Sequence, residues 1–268
     1  MKSSGTITLT TDFGLEDPYA AVMKGVVLSI NPAARIVDIT HSVKAGSVMQ
    51  AAMLIKEAYP FFPKGTVHVA VIDPGVGGKR RPVLVKTENH VFVGPDNGVF
   101  WPIIKDHEQA EIIHLTESRY FLSDISHTFH GRDIFAPVAA HISRGIDPLE
   151  MGQAISDPVQ LEFPVPEKRG ENLYGRVMRI DHFGNLITNV KKGDLEEFLG
   201  LEKSAIIIGK LVVEGLRRSY SEVGEGEILA LIGSSGCLEI AVNTGRASDI
   251  VGTDPDGIIG MEIEVRRV

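Results

Sequence analysis

Two kinds of segment alternate along the first half of the chain, and this alternation limits the fold more than any other feature. Short apolar or β-branched runs are followed by longer segments with helical spacing. In chain order these are Thr6–Thr10, a segment from Asp17-Pro18 to Ile30, Ile36–Ile39, Ser47–Tyr59 and Val67–Ile72. Strands that alternate with helices predict a parallel sheet covered by helices. We therefore expect an α/β N-terminal domain with a mostly parallel central sheet flanked by helices.

The pattern of the chain changes near residue 157. A polar, Pro-rich stretch over residues 157–170 predicts an interdomain linker. Beyond it, short β-like runs separated by glycine turns extend from Leu173–Ile180 to Ile258–Val265. Such spacing is typical of a small barrel or sandwich. We expect an α/β domain over residues 1–156, the linker, and an all-β, barrel-like domain over residues 171–268.

Charge and composition exclude several classes of partner. The formal net charge of −8 argues against nucleic-acid binding, which requires a basic surface. No run of about 18 apolar residues is present, so we expect no membrane contact. The single cysteine, Cys237, cannot form a disulfide within the chain, and the N-terminal residues lack a secretory pattern. These features predict a cytoplasmic protein.

Two acids follow predicted strands, and both are candidate ligand-binding residues. Asp12 ends the stretch TTD, and Asp73 follows HVAVI. Ligands of open parallel sheets bind beyond the carboxyl ends of the strands, where a carboxylate can accept hydrogen bonds from a ribose diol. The alternative is that both acids only stabilise turns. The loop after Asp73 is glycine-rich and ends in Arg80 and Arg81, but it lacks the Lys-Ser/Thr pair of a P-loop.

The stretch HTFHGRDIF contains a second candidate group. His127, His130 and Asp133 have a spacing that could ligate a metal, although no HExxH or CxxC accompanies them. Alternatively, His130 is a general base or holds a water molecule. A purely structural histidine is the third interpretation. The residues alone leave these three open.

The predicted β-rich half offers two further stretches. DHFGNLITN places Asp181, Phe183 and Asn185 together at a strand end, where they could bind a cation, stack on a flat ring and contact a base edge. A turn with one core phenylalanine is the alternative. GSSGCLEIAVN offers Ser234 and Ser235 with backbone N–H groups that could bind a carboxylate.

Taken together, these stretches resemble one family over nearly the whole chain. The motifs, in chain order, are TTDFG, HVAVIDPGVGGKRR, GPDNG, FHGRDIFAP, DHFGNLITN and SSGCLEIAVN. They resemble the adenosine-forming S-adenosylmethionine (SAM) hydrolases, or SAM hydroxide adenosyltransferases, which are relatives of the fluorinases and chlorinases. The resemblance implies an α/β domain followed by a barrel-like domain. It also implies a homotrimer with active sites at subunit interfaces, and a reaction without cofactor or metal from which adenosine can co-purify.

The resemblance also implies roles for individual residues. Asp73, Arg80 and His130 match the set that holds the attacking water or hydroxide. The substrate-binding positions are matched by Asp12 for the ribose hydroxyls, Asp17 and Asp181 near the methionine ammonium, Phe183 and Asn185 at the adenine, and Ser234 and Ser235 at the methionine carboxylate.

The chemistry and its rivals can be stated from the same residues. A sulfonium leaves readily, so the enzyme has to supply an in-line nucleophile in a water-poor pocket. In the halogenating relatives the position of Asp73 resembles a tyrosine, and an aspartate would repel a halide. We therefore expect hydrolysis of SAM to adenosine and methionine. The rivals are a halide-using adenosyl transferase, a metal-dependent hydrolase and a non-catalytic SAM- or adenosine-binding protein.

Overall fold

The chain divides into two compact units, Met1–Glu162 and Phe163–Val268. The computed structural model describes residues 2–252 and 254–268. The boundary between the units falls inside the segment predicted as a linker, and both ends of that segment carry structure. At its beginning, Asp157 and Val159 are hydrogen-bonded within the first unit, and at its end Glu167–Arg169 forms a strand.

The first unit is built around a seven-stranded sheet. Its strands are β1 (Thr6–Thr11), β2 (Arg35–Thr40), β3 (Val67–Val71), β4 (Pro82–Lys86), β5 (Val91–Pro95), β6 (Glu111–Leu115) and β7 (Gly152–Ala154). In the order β2-β1-β3-β5-β4-β6-β7, the pairings up to β5 are parallel and the remaining pairings are antiparallel. The sheet is therefore mixed, and the expectation of a mostly parallel sheet is wrong for its second half. A short hairpin joins β4 to β5, which requires antiparallel pairing, and β6 and β7 extend the sheet from β4.

Helices cover both faces of this sheet. They are α1 (Tyr19–Ile30), α2 (Val48–Ala58), α3 (Trp101–Asp106) and α4 (Ala136–Ser143), the last preceded by a π-helix over Gly131–Phe135. Ile7 and Leu9 of β1 join an apolar core with residues of α1 and α4, whereas Thr8 faces the opposite side and contacts His68. This alternation is the two-residue period of a strand buried on both faces.

The start of α1 differs from the sequence expectation. The helix begins at Tyr19, and Pro18 rather than Asp17 occupies the capping position, without a side-chain hydrogen bond. Asp17 is therefore an exposed loop residue. No helix within residues 2–252 and 254–268 combines the length and the apolar composition that a membrane span requires.

The second unit contains an eight-stranded antiparallel sheet. Its strands are β8 (Glu167–Arg169), β9 (Asn172–Ile180), β10 (Leu186–Lys191), β11 (Ser204–Ile208), β12 (Leu211–Glu214), β13 (Ile228–Ile232), β14 (Cys237–Val242) and β15 (Glu262–Arg267). The order is β12-β11-β15-β9-β10-β14-β13, with β8 paired to β9. A bridge between Arg217 and Leu231 connects the segment after β12 to β13, so the sheet is nearly closed. This agrees with the expected barrel-like architecture.

The sequence predicted an all-β second unit, but the unit also contains helices. Within the described residues, short α-helices accompany the sheet at α5 (Lys192–Leu199), α6 (Ala247–Val251) and α7 (Pro255–Ile258). Leu195 and Phe198 of α5 and Ala247 of α6 are buried in the same apolar core as the strands. The helices therefore complete the core of the unit.

Candidate functional site

The acids singled out in the sequence lie at one edge of the first sheet. Asp12 directly follows β1, and Asp73 follows β3 after one residue. The two strands are parallel neighbours in which Thr11 pairs with Val71. Their carboxyl ends therefore lie side by side, at the edge where open α/β sheets bind ligands.

Asp73, Arg80 and His130 contact one another at this edge. Arg80 Nε donates to Asp73 Oδ1 at 2.9 Å, and Arg80 Nη2 donates to Asp73 Oδ2 and to His130 Nδ1, the latter at 2.7 Å. The side chains of Asp73 and Arg80 are only 5% and 10% exposed. A bidentate arginine–carboxylate pair of this kind fixes the plane of the guanidinium. The three residues thus form one connected cluster, as the resemblance had implied.

The loop between β3 and β4 brings Arg80 back to Asp73 through tight glycine turns. Gly77 has a φ of +73°, in the left-handed region that glycine favours. A Cβ atom at Gly77 would also clash with the carbonyl oxygen of His127. The glycine-rich loop therefore packs directly on the segment that leads to His130.

Two residues that the sequence did not single out support the cluster. The Arg80 guanidinium lies 5.5 Å from the ring centre of Phe135, which is fully buried. Asn97, which follows β5, donates from Nδ2 to the carbonyl of Ile72 at 2.7 Å and so fixes the backbone beside Asp73. The asparagine is part of the GPDNG motif. Phe135 has no periodic pattern around it in the sequence, because it belongs to a π-helix. Such helices occur frequently at functional sites.

His130 is held as a neutral imidazole. Burial, together with the positive charge of Arg80, lowers the pKa of His130, although Asp73 and Asp133 oppose the shift. A guanidinium can only donate, so Nδ1 accepts from Arg80 and the proton lies on Nε2. His130 is therefore oriented by Arg80 and stays uncharged below the pH at which a free histidine titrates.

Arg132 and Asp133 form a structural group next to His130. Asp133 is fully buried and accepts hydrogen bonds from the backbone N–H and hydroxyl of Ser126 at 2.9 and 2.8 Å, and from Arg132 Nε at 2.5 Å. Burial favours the neutral acid, but the bonds from Arg132 and Ser126 hold the pKa of Asp133 below its usual value. In the part of the chain that the structure describes, no three His, Cys, Asp or Glu side chains are arranged to hold a metal ion.

The side chain of Asp12 contacts the loop that follows β2. Its Oδ2 accepts a hydrogen bond from the backbone N–H of Gly46 at 2.8 Å. The neighbouring ring of Phe13 packs against Tyr19 and Phe129, with centroid distances of 5.7 Å to each. These aromatic contacts join the segment after β1 to the segment that carries His130.

In the second unit, Asp181 and Asn185 form the turn between β9 and β10. Asp181 Oδ1 accepts from the Asn185 backbone N–H, and Asp181 Oδ2 accepts from Asn185 Nδ2, both at 2.9 Å. Asn185 is buried, whereas Phe183 at the tip of the turn is 69% exposed. One N–H of the Asn185 side-chain amide is thus used inside the turn.

Ser234 and Ser235 lie in the turn between β13 and β14, which is closed by bonds between Gly233 and Cys237 and between Gly236 and Gly233, each 2.9 Å. In the β10–β14 pairing, Leu186 pairs with Ile240 and Lys191 with Cys237. The serine turn and the Asp181–Asn185 turn therefore lie at opposite ends of this strand pair.

Glu239 lies on β14 between these two turns and was not identified from sequence. It is 6% exposed and accepts from the Tyr220 hydroxyl at 2.5 Å. Burial raises the pKa of Glu239, and the charge of Asp181 adds to the shift while Tyr220 opposes it. The β-rich unit therefore contains a buried acid close to the predicted substrate-binding residues.

Comparison with known protein families assigns both units. Residues 7–152 match the SAM hydroxide adenosyltransferase N-terminal domain, and residues 175–259 match the corresponding C-terminal domain. The (R)-S-adenosyl-L-methionine hydrolase of Salinispora tropica is 36% identical over 256 residues, covering 93% of this chain and 94% of that protein. A fluorinase of Actinoplanes sp. is 28% identical, covering 88% of this chain and 90% of that protein.

A solved structure confirms the fold. The crystal structure of an uncharacterized conserved protein from Thermotoga maritima matches with a TM-score of 0.90 and 35% sequence identity. The match covers 98% of this chain and 100% of that chain. Both units therefore have a counterpart of known structure.

Proposed function

Because the chain belongs to the SAM hydroxide adenosyltransferase family, we propose that it hydrolyses S-adenosyl-L-methionine to adenosine and L-methionine. The observation that carries this proposal is the contact of Asp73, Arg80 and His130 at the carboxyl edge of the first sheet. A buried guanidinium between a carboxylate and a neutral imidazole is a suitable site for one water molecule or hydroxide ion.

In the proposed reaction, Arg80 binds the nucleophile. Its Nε–H and both N–H groups of Nη2 are used by Asp73 and His130, which leaves the two N–H groups of Nη1 for a water molecule. The water oxygen forms a bond to the ribose 5′-carbon while the bond from that carbon to sulfur breaks. The electron pair goes to sulfur, and methionine leaves as a neutral thioether, so no acid has to protonate it.

We assign the proton of this water to Asp73 because of its acceptor capacity. His130 Nδ1 already accepts from Arg80, and its Nε2 carries the proton. A carboxylate has about four lone-pair positions, so Asp73 keeps acceptor capacity beyond its two bonds from Arg80. His130 then acts by orienting Arg80, and its neutral state keeps positive charge from accumulating next to the guanidinium.

In this proposal the substrate contacts are those that the family resemblance implies. Asp12 accepts from the ribose hydroxyls, and Asp17 and Asp181 bind near the methionine ammonium. Phe183 and Asn185 contact the adenine, and Ser234 and Ser235 hold the methionine carboxylate. The exposure of Phe183 and the strand-end position of Asp12 support these roles. No cofactor or metal takes part in the scheme.

A halide-using adenosyl transferase is the second candidate, because a fluorinase is among the relatives. A halide ion at the same position would lie beside the carboxylate of Asp73 and would be repelled by it. The pairing of Asp73 with Arg80 therefore favours water over a halide.

The homotrimer implied by the family resemblance and the cytoplasmic location belong to the same proposal. Light scattering of the purified protein tests the trimer, which predicts a mass about three times the 29.1 kDa of the chain. A mass of 29.1 kDa would contradict it.

One incubation separates the candidate functions. Purified protein is mixed with SAM, with and without EDTA and with and without chloride, and the products are separated by chromatography. Hydrolysis predicts adenosine and methionine in equal amounts under all four conditions. Loss of product with EDTA would indicate a metal-dependent hydrolase. A 5′-chlorinated nucleoside would indicate halide transfer, and bound SAM without product would indicate a non-catalytic binding protein.

A matched pair of variants ties the activity to the cluster. Asp73 and Asp96 both follow strands at this edge, both are 5% exposed and both accept from an arginine. Asp73→Asn is expected to lower kcat about 10²- to 10³-fold with KM nearly unchanged. Asp96→Asn should leave kcat within about threefold. Equal effects of the two substitutions would remove the specific role of Asp73.

A further inference from the structure

A buried histidine beside the predicted ribose site takes no part in the scheme above. His41 follows β2 and is 4% exposed. Its Nδ1 lies 2.8 Å from Thr11 Oγ1, and its Nε2 lies 3.1 Å from Asp38 Oδ1. Asp38 also accepts from Lys24 Nζ at 2.5 Å. A chain of polar contacts therefore runs from the protein surface to the end of β1.

The contacts in this chain differ in quality. Burial opposes ionisation of Asp38, but Lys24 and His41 hold the pKa of Asp38 below its usual value. His41 Nε2 lies at ion-pair distance from Asp38 without hydrogen-bond geometry. The Thr11 hydroxyl is hydrogen-bonded to His41 Nδ1, and its oxygen also accepts from the backbone N–H of Phe13, 3.3 Å away.

The loop that carries His41 also holds the backbone around Asp12. Gly14 N–H donates to the His41 carbonyl at 2.8 Å, and Val43 N–H donates to the Thr11 carbonyl at 3.3 Å. Gly46 N–H donates to Asp12 Oδ2 at 2.8 Å. Asp12 is thus held at its side chain by Gly46, and the backbone on either side of it is held at Thr11 and Gly14.

We propose that His41, acting through the hydroxyl of Thr11, is a positioning residue that aims the carboxylate of Asp12 at the ribose hydroxyls of the substrate. This inference rests on the proposed function, because it takes Asp12 as the ribose-binding acid. The role follows from geometry: Thr11 directly precedes Asp12, and its hydroxyl is tied on both sides, to the imidazole and to the backbone of Phe13.

The same strand offers a matched control. Thr8 is also fully buried, and its Oγ1 lies 2.8 Å from Nδ1 of a second buried histidine, His68. Both threonines belong to β1, but Thr8 lies in the middle of the strand, whereas Thr11 directly precedes Asp12. Replacing either threonine by valine keeps the branched shape and removes one buried hydroxyl. The two substitutions are therefore comparable in their structural cost.

The test compares nucleoside binding by Thr11→Val and Thr8→Val. Calorimetry measures the affinities for adenosine and for 2′,3′-dideoxyadenosine, which lacks the ribose diol. Thr11→Val is expected to weaken adenosine binding about tenfold, because a hydrogen bond to a charged group is misaligned, and to leave dideoxyadenosine binding unchanged. Its KM for SAM should rise by the same factor, with kcat within about twofold. Thr11→Ser retains the hydroxyl and should restore adenosine affinity.

The outcomes of this test separate the positioning role of His41 from the proposed function. Equal behaviour of Thr11→Val and Thr8→Val, or equal loss of both nucleosides in Thr11→Val, would overturn the positioning role. If Thr11→Val does not fold, Asp38→Asn replaces it, because this substitution weakens the contact on the other side of His41. The affinity for adenosine should then fall about threefold while the affinity for dideoxyadenosine stays the same. Equal changes in both affinities would overturn the inference. Wild-type protein that binds adenosine without hydrolysing SAM would overturn the proposed function and leave this binding test valid. Wild-type protein that binds neither nucleoside would overturn both.

Discussion

Arg80 and Arg81 are consecutive residues with the same local chemistry and different surroundings. Each donates from Nε and Nη2 to one buried aspartate, Asp73 for Arg80 and Asp96 for Arg81. Arg80 then extends to the titratable ring of His130. Arg81 instead donates to the side chain and the carbonyl of Asp157 at 2.8 and 2.6 Å.

The difference shows how a structural ion pair can be distinguished from a candidate catalytic one. Arg81 donates four hydrogen bonds to oxygens of Asp96 and Asp157. Asp96 also accepts from the backbone N–H of Val159. This network ties residues 157–159 to the sheet. Among the described residues Arg80 makes three hydrogen bonds, and two of its five N–H groups are outside these bonds. Spare donor capacity next to a neutral imidazole therefore distinguishes the candidate catalytic pair, whereas burial or charge alone does not.

The largest expected effect is on turnover, and it should separate the two arginines. Arg80→Met keeps the aliphatic stem and removes the guanidinium, so kcat should fall about 10²- to 10³-fold, the range for loss of one preorganised donor. Arg81→Met serves as the control and should retain kcat within about threefold. Adenosine formation from saturating SAM gives both values. Comparable losses would show that the two arginines are not functionally distinct.

The next effect is on stability, and it concerns the ion pair of Arg81 with Asp96. Arg81→Met leaves the buried carboxylate of Asp96 without its cation, which is expected to cost about 3 kcal/mol of unfolding free energy. In the double substitution Arg81→Met with Asp96→Leu, part of that loss should be recovered, since no charge stays buried. Urea unfolding followed by circular dichroism measures both. A loss below about 1 kcal/mol in Arg81→Met would indicate that this network contributes little to the fold.

A smaller effect concerns the pH dependence of kcat/KM, which should follow His130, the partner of Arg80. The pKa of His130 is lowered by burial and by Arg80, so the neutral ring persists below pH 6.5. The value of kcat/KM should therefore stay constant as the pH falls to 6.5, and then decline about tenfold per pH unit once His130 is protonated. Glutamine at this position can accept from Arg80 and does not titrate, so His130→Gln should flatten the decline. A decline that begins above pH 7 in the wild type would contradict the lowered pKa.

The smallest expected effect is a loss of stability at low pH, and it comes from His68, a histidine outside the Asp73–Arg80–His130 cluster. Burial, with a contribution from His90, lowers the pKa of His68 to about 3, so His68 is neutral in the folded protein while it titrates near 6.5 when unfolded. The unfolded chain then binds more protons, and stability falls with decreasing pH. Between pH 6.5 and 5.5 the expected loss from His68 is about 1 kcal/mol. Chemical unfolding at both pH values measures it; higher stability at pH 5.5 would contradict the assignment.

Part of this site could be predicted from sequence, because strand ends are local features. The runs before Asp12 and Asp73 are short and rich in β-branched or apolar residues, and adjacent parallel strands bring such ends together. The bond from Arg80 to His130 joins residues that are far apart in the chain, and no periodicity encodes it. Only the family resemblance placed these two residues in one set.

Other features escaped prediction for stated physical reasons. Phe135 lies in a π-helix, whose five-residue hydrogen bonds leave no periodic pattern in the sequence. The side chain of Asn185 also donates to Asp181 and closes a turn, a contact that only the folded hairpin reveals. The antiparallel pairings of β6 and β7 were not predicted, because strands buried on both faces have the same apolar composition in parallel and antiparallel pairing.

The most direct test of the central claim follows the oxygen of water. Purified protein is incubated with SAM in water enriched in ¹⁸O, and adenosine and methionine are analysed by mass spectrometry. Attack of the Arg80-bound water on the ribose 5′-carbon predicts one ¹⁸O atom in each adenosine, at the 5′-hydroxyl, and none in methionine. Unlabelled adenosine, or labelled homoserine together with methylthioadenosine, would contradict the account.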